Sequence, residues 1–380
     1  MPVITQVVIK LNKADLAMAT GLAKTICATT QTDSILEFAL IRIDHNHFRI
    51  TSTNDASSLD VRIPLLNPLP ELEDDPICFL INISSFFELT KEESGDVVSL
   101  SVNDHTHSLT YKVQTSELVL PIRRATEWPN IDSRFDITAQ SFKEITKSNF
   151  VRMLTYNKHF LPHGQDANMY LVEIRNGLAL SSDRKRFGFY LSDEFNDLKL
   201  RLPGDQISPL EKAVEFFPPG NFSIATSDTE NLLVINNPNI AVALTFLKSC
   251  LTLPVSLDKV PMVEEDNRIE LNTAFISKSL ARLSIVCAKT DPKLKLEFHN
   301  DSMKLATVND LGHESVDTLL CQRLNGDRKT IISIPLSVLR KIIKLVDSET
   351  CILGIGKDSS YLKISVETDE YETHSIIQAS

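Results

Sequence analysis

Residues 169–187 read MYLVEIRNGLALSSDRKRF, and this segment predicts the fold. An apolar strand at 169–174 runs into Asn176-Gly177, a dipeptide typical of two-residue hairpin turns. A second strand at 178–182 follows and leads into the basic corner at 183–187. Before the hairpin, the sequence predicts an N-cap at Thr138 and a helix over 141–157. A strand end at 135–137 precedes this helix, so the predicted order is strand, helix, hairpin and polar corner.

The same order recurs on both sides of this segment. Helices are predicted over 13–29 and 273–289, and two strands follow each of them. The polar corners contain Asp55, Asp183 and Asp310, which are 128 and 127 residues apart. A regular period of this size marks tandem copies of one domain.

Each copy also has a second half with the same layout. Further helices are predicted over 84–93, 208–217 and 336–348, so the chain holds six strand–helix–strands repeats. Strands that alternate apolar and polar residues, as in 98–102, favour antiparallel sheets with one solvated face. The sequence thus predicts an α+β fold of three tandem domains at 1–130, 131–260 and 261–380.

Length and composition agree with a folded, multidomain chain. A chain of 380 residues is too long for one core, and 42% hydrophobic with 23% charged residues is ordinary for a globular protein. No apolar run approaches the roughly 20 residues of a membrane span, and no signal-peptide pattern opens the chain, so we expect a cytoplasmic protein. The six cysteines form no Cys-x-x-Cys pair, which favours reduced core residues over metal ligands, and no cofactor is expected.

Several predicted helices carry positive charge on the face opposite their apolar residues. The helix at 273–289 contains no acid, and Lys278, Arg282 and Lys289 lie opposite Ile276 and Leu280. A solvated charged face explains any single helix of this kind. In a chain of net charge −11, repeated basic helix faces instead favour a surface that binds a polyanion. The candidate DNA-binding residues are Lys13, Lys24, Lys143, Lys147, Lys278, Arg282, Lys289, Arg340, Lys341 and Lys344.

The sequence motifs that could indicate an enzyme match their known patterns poorly. His45 and His47 lie in a predicted turn of the kind found in some nucleases, but turns favour Asp and Asn for backbone reasons. Residues 354–359 read GIGKDS, which lacks the spacing of a phosphate-binding loop and joins two strands. No nucleophile, base and orienting group come together, so the sequence predicts a protein that is not an enzyme.

The three-domain, six-repeat layout resembles the bacterial sliding clamp, the beta subunit of DNA polymerase III, over essentially the whole chain. Residues 178–187 are similar to that family's VATDGHRL strand end, and Trp128-Pro129-Asn130 is similar to its aromatic-Pro-Asn junction. Arg184 and Lys185 replace the family's Gly-His, and Gln31 stands where an arginine is usual. The C-terminal sequence IIQAS lacks the usual Met-Pro-x-(Arg)-Leu ending.

The resemblance implies a head-to-tail homodimeric ring around duplex DNA, with twelve helices lining the hole and sheets outside. It implies that a clamp loader places the ring on DNA and that a DNA polymerase is tethered to it, with no membrane partner. The subunit contact would involve Leu118 and Leu120 of one subunit and Ile285 and Val286 of the other. Ordinary core packing explains these apolar residues equally well.

A partner-peptide groove is also implied by the resemblance, between the second and third domains. By position, its walls would include Arg186, Phe187, Pro254, Val260, Ile376 and Ile377. Phe187 and Ile377 fit a role in the core equally well. The bulky pair Arg184-Lys185 is expected to reshape the rim of the groove.

Three function classes therefore stay open. A processivity clamp predicts a closed dimer that retains DNA. A clamp-like adaptor or inhibitor that acts through protein contacts alone predicts a monomer. A nuclease predicts cleavage that depends on His45 or His47.

Overall fold

The structure is a computed structural model of the 380-residue chain. It describes residues 7–27, 34–54, 57–72, 76–92, 95–103, 106–131, 142–162, 170–215, 217, 219–226, 232–237, 240–246, 265–286, 292–308, 312–326, 329–356 and 359–379. Two compact units divide the chain. The first comprises Met1–Val151 and Gln206–Ser249, and the second comprises Arg152–Asp205 and Cys250–Ser380.

The described residues form six α-helices, and all but the third begin within one residue of the position that local capping and apolar periodicity predict. Asn12 caps the first helix by accepting hydrogen bonds from the backbone N–H of Ala14 and Asp15, and Asn272 accepts one from Phe275. The helices are α1 (Lys13–Ile26), α2 (Ile83–Glu92), α3 (Lys147–Lys158), α4 (Ile207–Glu215), α5 (Thr273–Val286) and α6 (Leu336–Ile343).

The first compact unit contains one antiparallel sheet of twelve strands. Its strands, in chain order, are β1 (Val7–Asn12), β2 (Phe38–Ile43), β3 (His47–Thr53), β4 (Ser57–Pro64), β5 (Ile77–Asn82), β6 (Val97–Asn103), β7 (Ser108–Val113), β8 (Ser116–Arg124), β9 (Lys143–Thr146), β14 (Asn221–Thr226), β15 (Leu232–Asn237) and β16 (Ile240–Phe246). The order across the sheet is β1-β6-β7-β8-β5-β2-β3-β4-β16-β15-β14-β9.

The second compact unit contains a nine-stranded and a four-stranded antiparallel sheet. The nine-stranded sheet has the order β13-β10-β11-β12-β25-β24-β23-β17-β21, and the smaller sheet has the order β20-β19-β18-β22. Their strands are β10 (Leu171–Arg175), β11 (Leu178–Ser182), β12 (Arg186–Leu191), β13 (Lys199–Pro203), β17 (Glu265–Asn272), β18 (Lys293–Phe298), β19 (Ser302–Val308), β20 (Glu314–Leu320), β21 (Gln322–Asn325), β22 (Thr330–Pro335), β23 (Thr350–Gly356), β24 (Tyr361–Glu367) and β25 (Glu372–Gln378).

The predicted α+β fold of repeated strand–helix–strands elements is confirmed. Each helix follows one strand and precedes three, as in β1-α1-β2-β3-β4, and we call this repeat a βαβββ module; β21 is an additional strand between the last two modules. The sequence predicted only two strands after each helix and missed the third. In the module around α3, the third strand β12 starts at Arg186, inside the segment predicted to be a basic corner.

The predicted helix over 141–157 is wrong at its start. Lys143–Thr146 forms strand β9, which pairs antiparallel with β14, so that Lys143 lies opposite Ile224. Lysine and glutamate favour helices, but pairing with a neighbouring strand overrides this weak local preference. Lys143 and Lys147 therefore do not share a helix face. The predicted N-cap Thr138 lies outside the described residues.

Strands from modules that are distant in sequence pair with one another. Val61 of β4 lies opposite Val242 of β16, and Phe187 of β12 lies opposite Ile376 of β25. These pairings run across the predicted domain borders at 130 and 260, and both compact units take residues from 131–260. The two domain borders remain predictions.

Two further observations bear on the composition. No helix in the described part of the chain is long and apolar enough to span a bilayer. Of the four cysteines that the structure describes, Cys27 and Cys351 are buried, whereas Cys78 is exposed. The expectation that the cysteines are core residues is therefore wrong for Cys78.

Packing of α3 against the nine-stranded sheet depends on small and polar residues. The hydroxyl groups of Tyr156 and Ser375 share a buried hydrogen bond of 2.7 Å, and the Ser181 hydroxyl donates to the Asn157 side-chain oxygen at 2.8 Å. The Phe160 ring lies directly against Gly188 of β12, where any Cβ would overlap it. The absence of a side chain at Gly188 is thus what allows this close approach.

We predict that Gly188→Ala lowers the free energy of unfolding by about 1–3 kcal/mol, the usual cost of overpacking a core. Urea unfolding followed by circular dichroism measures this. Phe160→Leu combined with Gly188→Ala should cost less than the sum of the single changes, because the smaller side chain leaves room for the methyl group. Additive costs would contradict the proposed overlap.

Candidate nucleic-acid and partner interfaces

Helices α5 and α6 lie side by side in the second compact unit and bury their apolar faces. Ile276, Leu280 and Leu283 of α5 are buried, as are Leu339 and Ile342 of α6. The basic residues occupy the remaining faces of both helices. This is the arrangement that the spacing of the apolar residues predicts.

Two of the predicted cations on α5 and α6 are bonded within the chain. The Arg282 guanidinium contacts the Asp317 carboxylate of β20 at 2.5 Å, and Ser279 donates to the same carboxylate. Burial opposes ionisation of Asp317, but the hydrogen bonds from Ser279 and Arg282 outweigh it and lower the Asp317 pKa. Arg340 donates to the Ser284 hydroxyl at 3.0 Å and so joins α6 to α5. These arginines hold elements together.

Three other cations, on α5 and at or just after the end of α6, are exposed. Lys278, Lys341 and Lys344 make no ion pair or side-chain hydrogen bond with any residue that the structure describes. Beside them, the start of α5 and the end of α6 border an open cleft of about 820 Å³, lined in part by Ala274, Ser277 and Lys344. Their ammonium groups are thus accessible to a phosphate backbone.

The predicted cations of the first compact unit are more strongly engaged. Lys24 of α1 forms an ion pair of 2.7 Å with Glu88 and lies over the Phe87 ring at 4.6 Å. Lys147 donates to the carbonyl oxygens of Glu215, at 2.9 Å, and Phe217, where α4 ends. Burial lowers the Lys147 pKa. Its charge stabilises the end of a helix, where carbonyl groups lack partners.

Two of the remaining predicted cations are half-buried. Lys13 is half-buried at the start of α1, and Lys143 is half-buried in β9. Lys289 lies outside the described residues.

The residues predicted for the subunit contact are accessible. Leu118 is 40% exposed and Leu120 is half-buried on β8. Residues 116–121 of this strand pair with β7, and no other strand in the described part of the chain pairs with their other side. Ile285 is 76% exposed and Val286 is also exposed at the end of α5. The alternative that Ile285 and Val286 fill the core of this chain is therefore wrong.

Sequence reasoning missed a second apolar edge. Strand β20 lies at one edge of the four-stranded sheet and exposes Val316 and Leu320, the latter at 84%. Asp317, between them, bonds to α5, so the edge strand and the exposed end of α5 belong to one surface. Exposed residues alternate along 314–320 in the folded chain, but the sequence ESVDTLL shows no equally regular apolar alternation that could have predicted it.

The four described residues of the predicted partner groove lie on adjacent strands but on two faces. Arg186 and Phe187 of β12 lie opposite Ile377 and Ile376 of β25. Phe187 and Ile376 belong to one apolar cluster, whereas Ile377 is 2% exposed and lies on the same face as Ser375, which contacts α3. Ile377 therefore packs in the core. Pro254 and Val260 lie outside the described residues.

The weak enzyme motifs have structural explanations. Asp44 accepts hydrogen bonds from the backbone N–H of Asn46 and His47, which is how an aspartate stabilises a tight turn. Gly354 and Gly356 lie in strand β23, under the side chains of Glu265 and Tyr361. Within the described ranges, no three metal-ligating side chains come together.

Several solved structures of sliding clamps share this architecture. No protein-family model matches the sequence, and no curated protein sequence matches it. The beta subunit of DNA polymerase III from Pseudomonas aeruginosa superposes with a TM-score of 0.79 at 14% identity, covering 98% of this chain and 100% of that chain. The beta subunit from Thermotoga maritima gives 0.80 at 13% identity, covering 98% and 99%. The DNA polymerase sliding clamp from Caulobacter crescentus gives 0.77 at 13% identity, with the same coverage.

The fold therefore defines a class. Along nearly its whole length, this chain has the three-domain fold of the DNA sliding clamps, in the form found in DNA polymerase III beta subunits. The low identity makes it a divergent example of that fold.

We predict that Lys147→Met lowers the free energy of unfolding by about 1–3 kcal/mol, because two carbonyl groups lose a charged donor. Lys278→Met is the matched control, since Lys278 is exposed and bonds to no described residue. Chemical unfolding of both variants measures the difference. Equal stability of the two variants would contradict a structural role for Lys147.

Proposed function

We propose that this protein is a DNA sliding clamp that acts as a processivity factor. Two copies would close head to tail into a ring around duplex DNA, and the ring would tether a DNA polymerase. The observation that carries the proposal is the similarity to sliding clamps over 98% of the chain. In this proposal, a clamp loader places the ring on DNA in the cytoplasm, the three domains end near 130 and 260, and the protein has no catalytic role of its own.

The charge distribution supports contact with DNA that is independent of sequence. Lys278, Lys341 and Lys344 are accessible on α5 and α6 in a chain of net charge −11. Ammonium groups attract phosphates without reading base edges. Such contacts are weak and screened by salt, so they allow movement along the duplex. Closure of the ring, rather than affinity, would keep the clamp on DNA.

Two exposed apolar edges support the homodimer. One is β8 with Leu118 and Leu120, and the other is β20 with the end of α5, including Ile285 and Val286. An edge strand that exposes apolar side chains invites pairing with another chain. Because the two edges differ, a contact between them is heterologous, as a head-to-tail ring requires.

A clamp-like adaptor or inhibitor that acts without a ring is the second candidate. Four of the predicted DNA-binding cations, Lys24, Lys147, Arg282 and Arg340, bond within the chain, which leaves fewer charges for phosphates. This candidate requires a monomer in solution and no retention on DNA.

We predict that Ile285→Glu/Val286→Glu converts a dimer into folded monomers, because the contact would bury unpaired carboxylates. Light scattering with size-exclusion chromatography measures the mass. Leu66→Glu, at another exposed leucine, is the control and should remain dimeric. A wild-type monomer would favour the adaptor, and a dimeric double variant would refute this contact.

We predict that wild-type protein, loaded by its host's clamp loader, stays on nicked circular DNA and is lost when that DNA is linearised. Lys278→Gln/Lys341→Gln/Lys344→Gln should load less and dissociate sooner, and its salt slope for DNA binding should fall by up to about one unit for each lost contact. Gel filtration of loaded DNA measures retention.

The control for this experiment removes the same charge from strands. Lys10→Gln/Lys199→Gln/Lys293→Gln changes three exposed cations outside the helices and should behave as wild type. Equal retention of wild-type protein on circular and linear DNA would rule out a sliding ring.

A further inference from the structure

Three arginines lie side by side on one face of the twelve-stranded sheet. Arg42 of β2 lies directly opposite Arg49 of β3, and Arg49 lies directly opposite Arg62 of β4. Side chains at such positions point to the same face of a sheet, and their Cβ atoms are roughly 5 Å apart. Like charges directly opposite each other destabilise a sheet. These three residues, which we call the arginine row, are therefore favourable only where negative charge lies beside them.

One buried carboxylate compensates part of this charge. Asp60 of β4 is 4% exposed and accepts a hydrogen bond from the Arg49 Nε. The Arg62 Nε lies 3.6 Å from the other carboxylate oxygen of Asp60. The Thr51 hydroxyl donates at 2.9 Å to the oxygen that Arg49 already contacts. A single carboxylate thus positions two guanidinium groups, although it carries only one negative charge.

Most hydrogen-bond donors of these two guanidinium groups stay available. Each guanidinium group has five N–H donors. The side chains of Arg49 and Arg62 form ion pairs with no described residue other than Asp60, and their closest contact with it is through Nε. The next acid along the chain from β2, Asp44, accepts from the backbone of its own turn and contacts His47 at 3.4 Å. The terminal nitrogens of Arg49 and Arg62 can therefore bind a further anion without breaking their contacts with Asp60.

The strands that carry the row are held in a fixed register. Their opposite faces are fully buried, and α1 contacts both β3 and β4. The buried residues of these faces include Phe48, Ile50, Val61 and Ile63. A shift of one residue would move this apolar set to the solvent face. The arginines are therefore positioned before a ligand arrives, which lowers the entropic cost of binding.

We propose that the arginine row binds the phosphate group of a small molecule, either free phosphate or a phosphate monoester. The planar fork of a guanidinium group matches two phosphate oxygens at once. Arg49, Arg62 and Asp60 together leave one net positive charge, and Arg42 adds another directly beside them. A phosphate monoester carries a charge of about −1.5 to −2 at pH 7, so it matches both. The site goes beyond the proposed function and does not depend on it.

A small dianion fits this site better than the backbone of duplex DNA does. Each phosphodiester group carries one negative charge, so it would leave part of the row uncompensated. The Arg62 side chain is 52% exposed, but that of Arg49 is only 14% exposed. A compact ligand reaches the half-buried Arg49 more easily than a wide duplex does. Charge and access therefore both favour a small phosphate compound.

The test is isothermal titration calorimetry of the full chain with sodium phosphate and with adenosine monophosphate, at constant ionic strength and neutral pH. Wild-type protein should bind phosphate with a Kd at or below about 1 mM, the weak end of specific affinities. Arg62→Gln should weaken binding by at least about 10-fold, the contribution of one hydrogen bond to a charged group. Arg62→Lys keeps the charge but lacks the fork, so it should bind with intermediate affinity. Both variants should fold, since Asp60 keeps Arg49 and Thr51 as partners, and circular dichroism checks this.

The matched control is Arg268→Gln, which should bind phosphate as wild type does. Arg268 is 41% exposed and contacts the buried carboxylate of Glu265 at 3.1 Å, but its companion there is Lys363 rather than a row of arginines. Adenosine, which lacks the phosphate group, should not compete. Equal affinity for phosphate and adenosine monophosphate would identify free phosphate as a sufficient ligand, and tighter binding of the monophosphate would identify a nucleotide. Either result supports the proposal.

Three results would overturn it. The first is no binding of either phosphate compound at about 1 mM. The second is a loss of affinity in Arg268→Gln as large as that in Arg62→Gln, because the phosphate would then bind by general charge attraction. The third is weaker binding of a short DNA duplex by Arg62→Gln when neither phosphate compound binds, because the row would then contact nucleic acid.

Discussion

Every module of this fold depends on one constraint: a helix must bury its apolar face against a sheet whose strands are paired. In α5, the buried apolar face contains Ile276, Leu280 and Leu283, and in α6 it contains Leu339 and Ile342. Burial of each such side chain contributes about 1.5–3 kcal/mol, far more than any charge on the opposite face. The packing therefore determines where each helix lies, and the other face is free to carry charge.

Pairing between distant modules turns these repeats into larger sheets. The ladder between β12 and β25 joins residues almost 190 positions apart, and the ladder between β4 and β16 joins residues about as distant. Each ladder provides hydrogen-bond partners for the backbone N–H and C=O groups of a strand that would otherwise lie unpaired at the edge of a sheet. Among the described residues, β8 over 116–121 in the first compact unit and β20 in the second expose apolar side chains along a side with which no described strand pairs. That difference between paired and unpaired edges is the physical basis for proposing a contact between copies.

Charged side chains in this protein divide into two kinds. Lys147, Arg282 and Arg340 bond to carbonyl, carboxylate and hydroxyl groups of the chain and connect helices to neighbouring elements. The second kind is exposed and bonds to no described residue; it comprises Lys278, Lys341, Lys344, Arg184 and Lys185. Only the second kind can change partners, because breaking an internal bond costs what a new contact would supply. The two exposed groups belong to different surfaces, one on helices and one at a strand turn.

The sequence by itself determined the repeat, the six helices and the sign of their exposed faces, because these follow from local periodicity and capping residues such as Asn12 and Asn272. It also predicted the Asn176-Gly177 hairpin, whose turn geometry is set by two residues. Tertiary structure alone decided that Lys143 belongs to a strand, since pairing with β14 overrides helix propensity. It alone separated Ile376 from Ile377, because the face of a strand residue depends on register, and a shift of one residue exchanges the faces. Which lysine is free and which bonds to a carbonyl group depends likewise on groups distant in sequence, and local patterns hold no information about those.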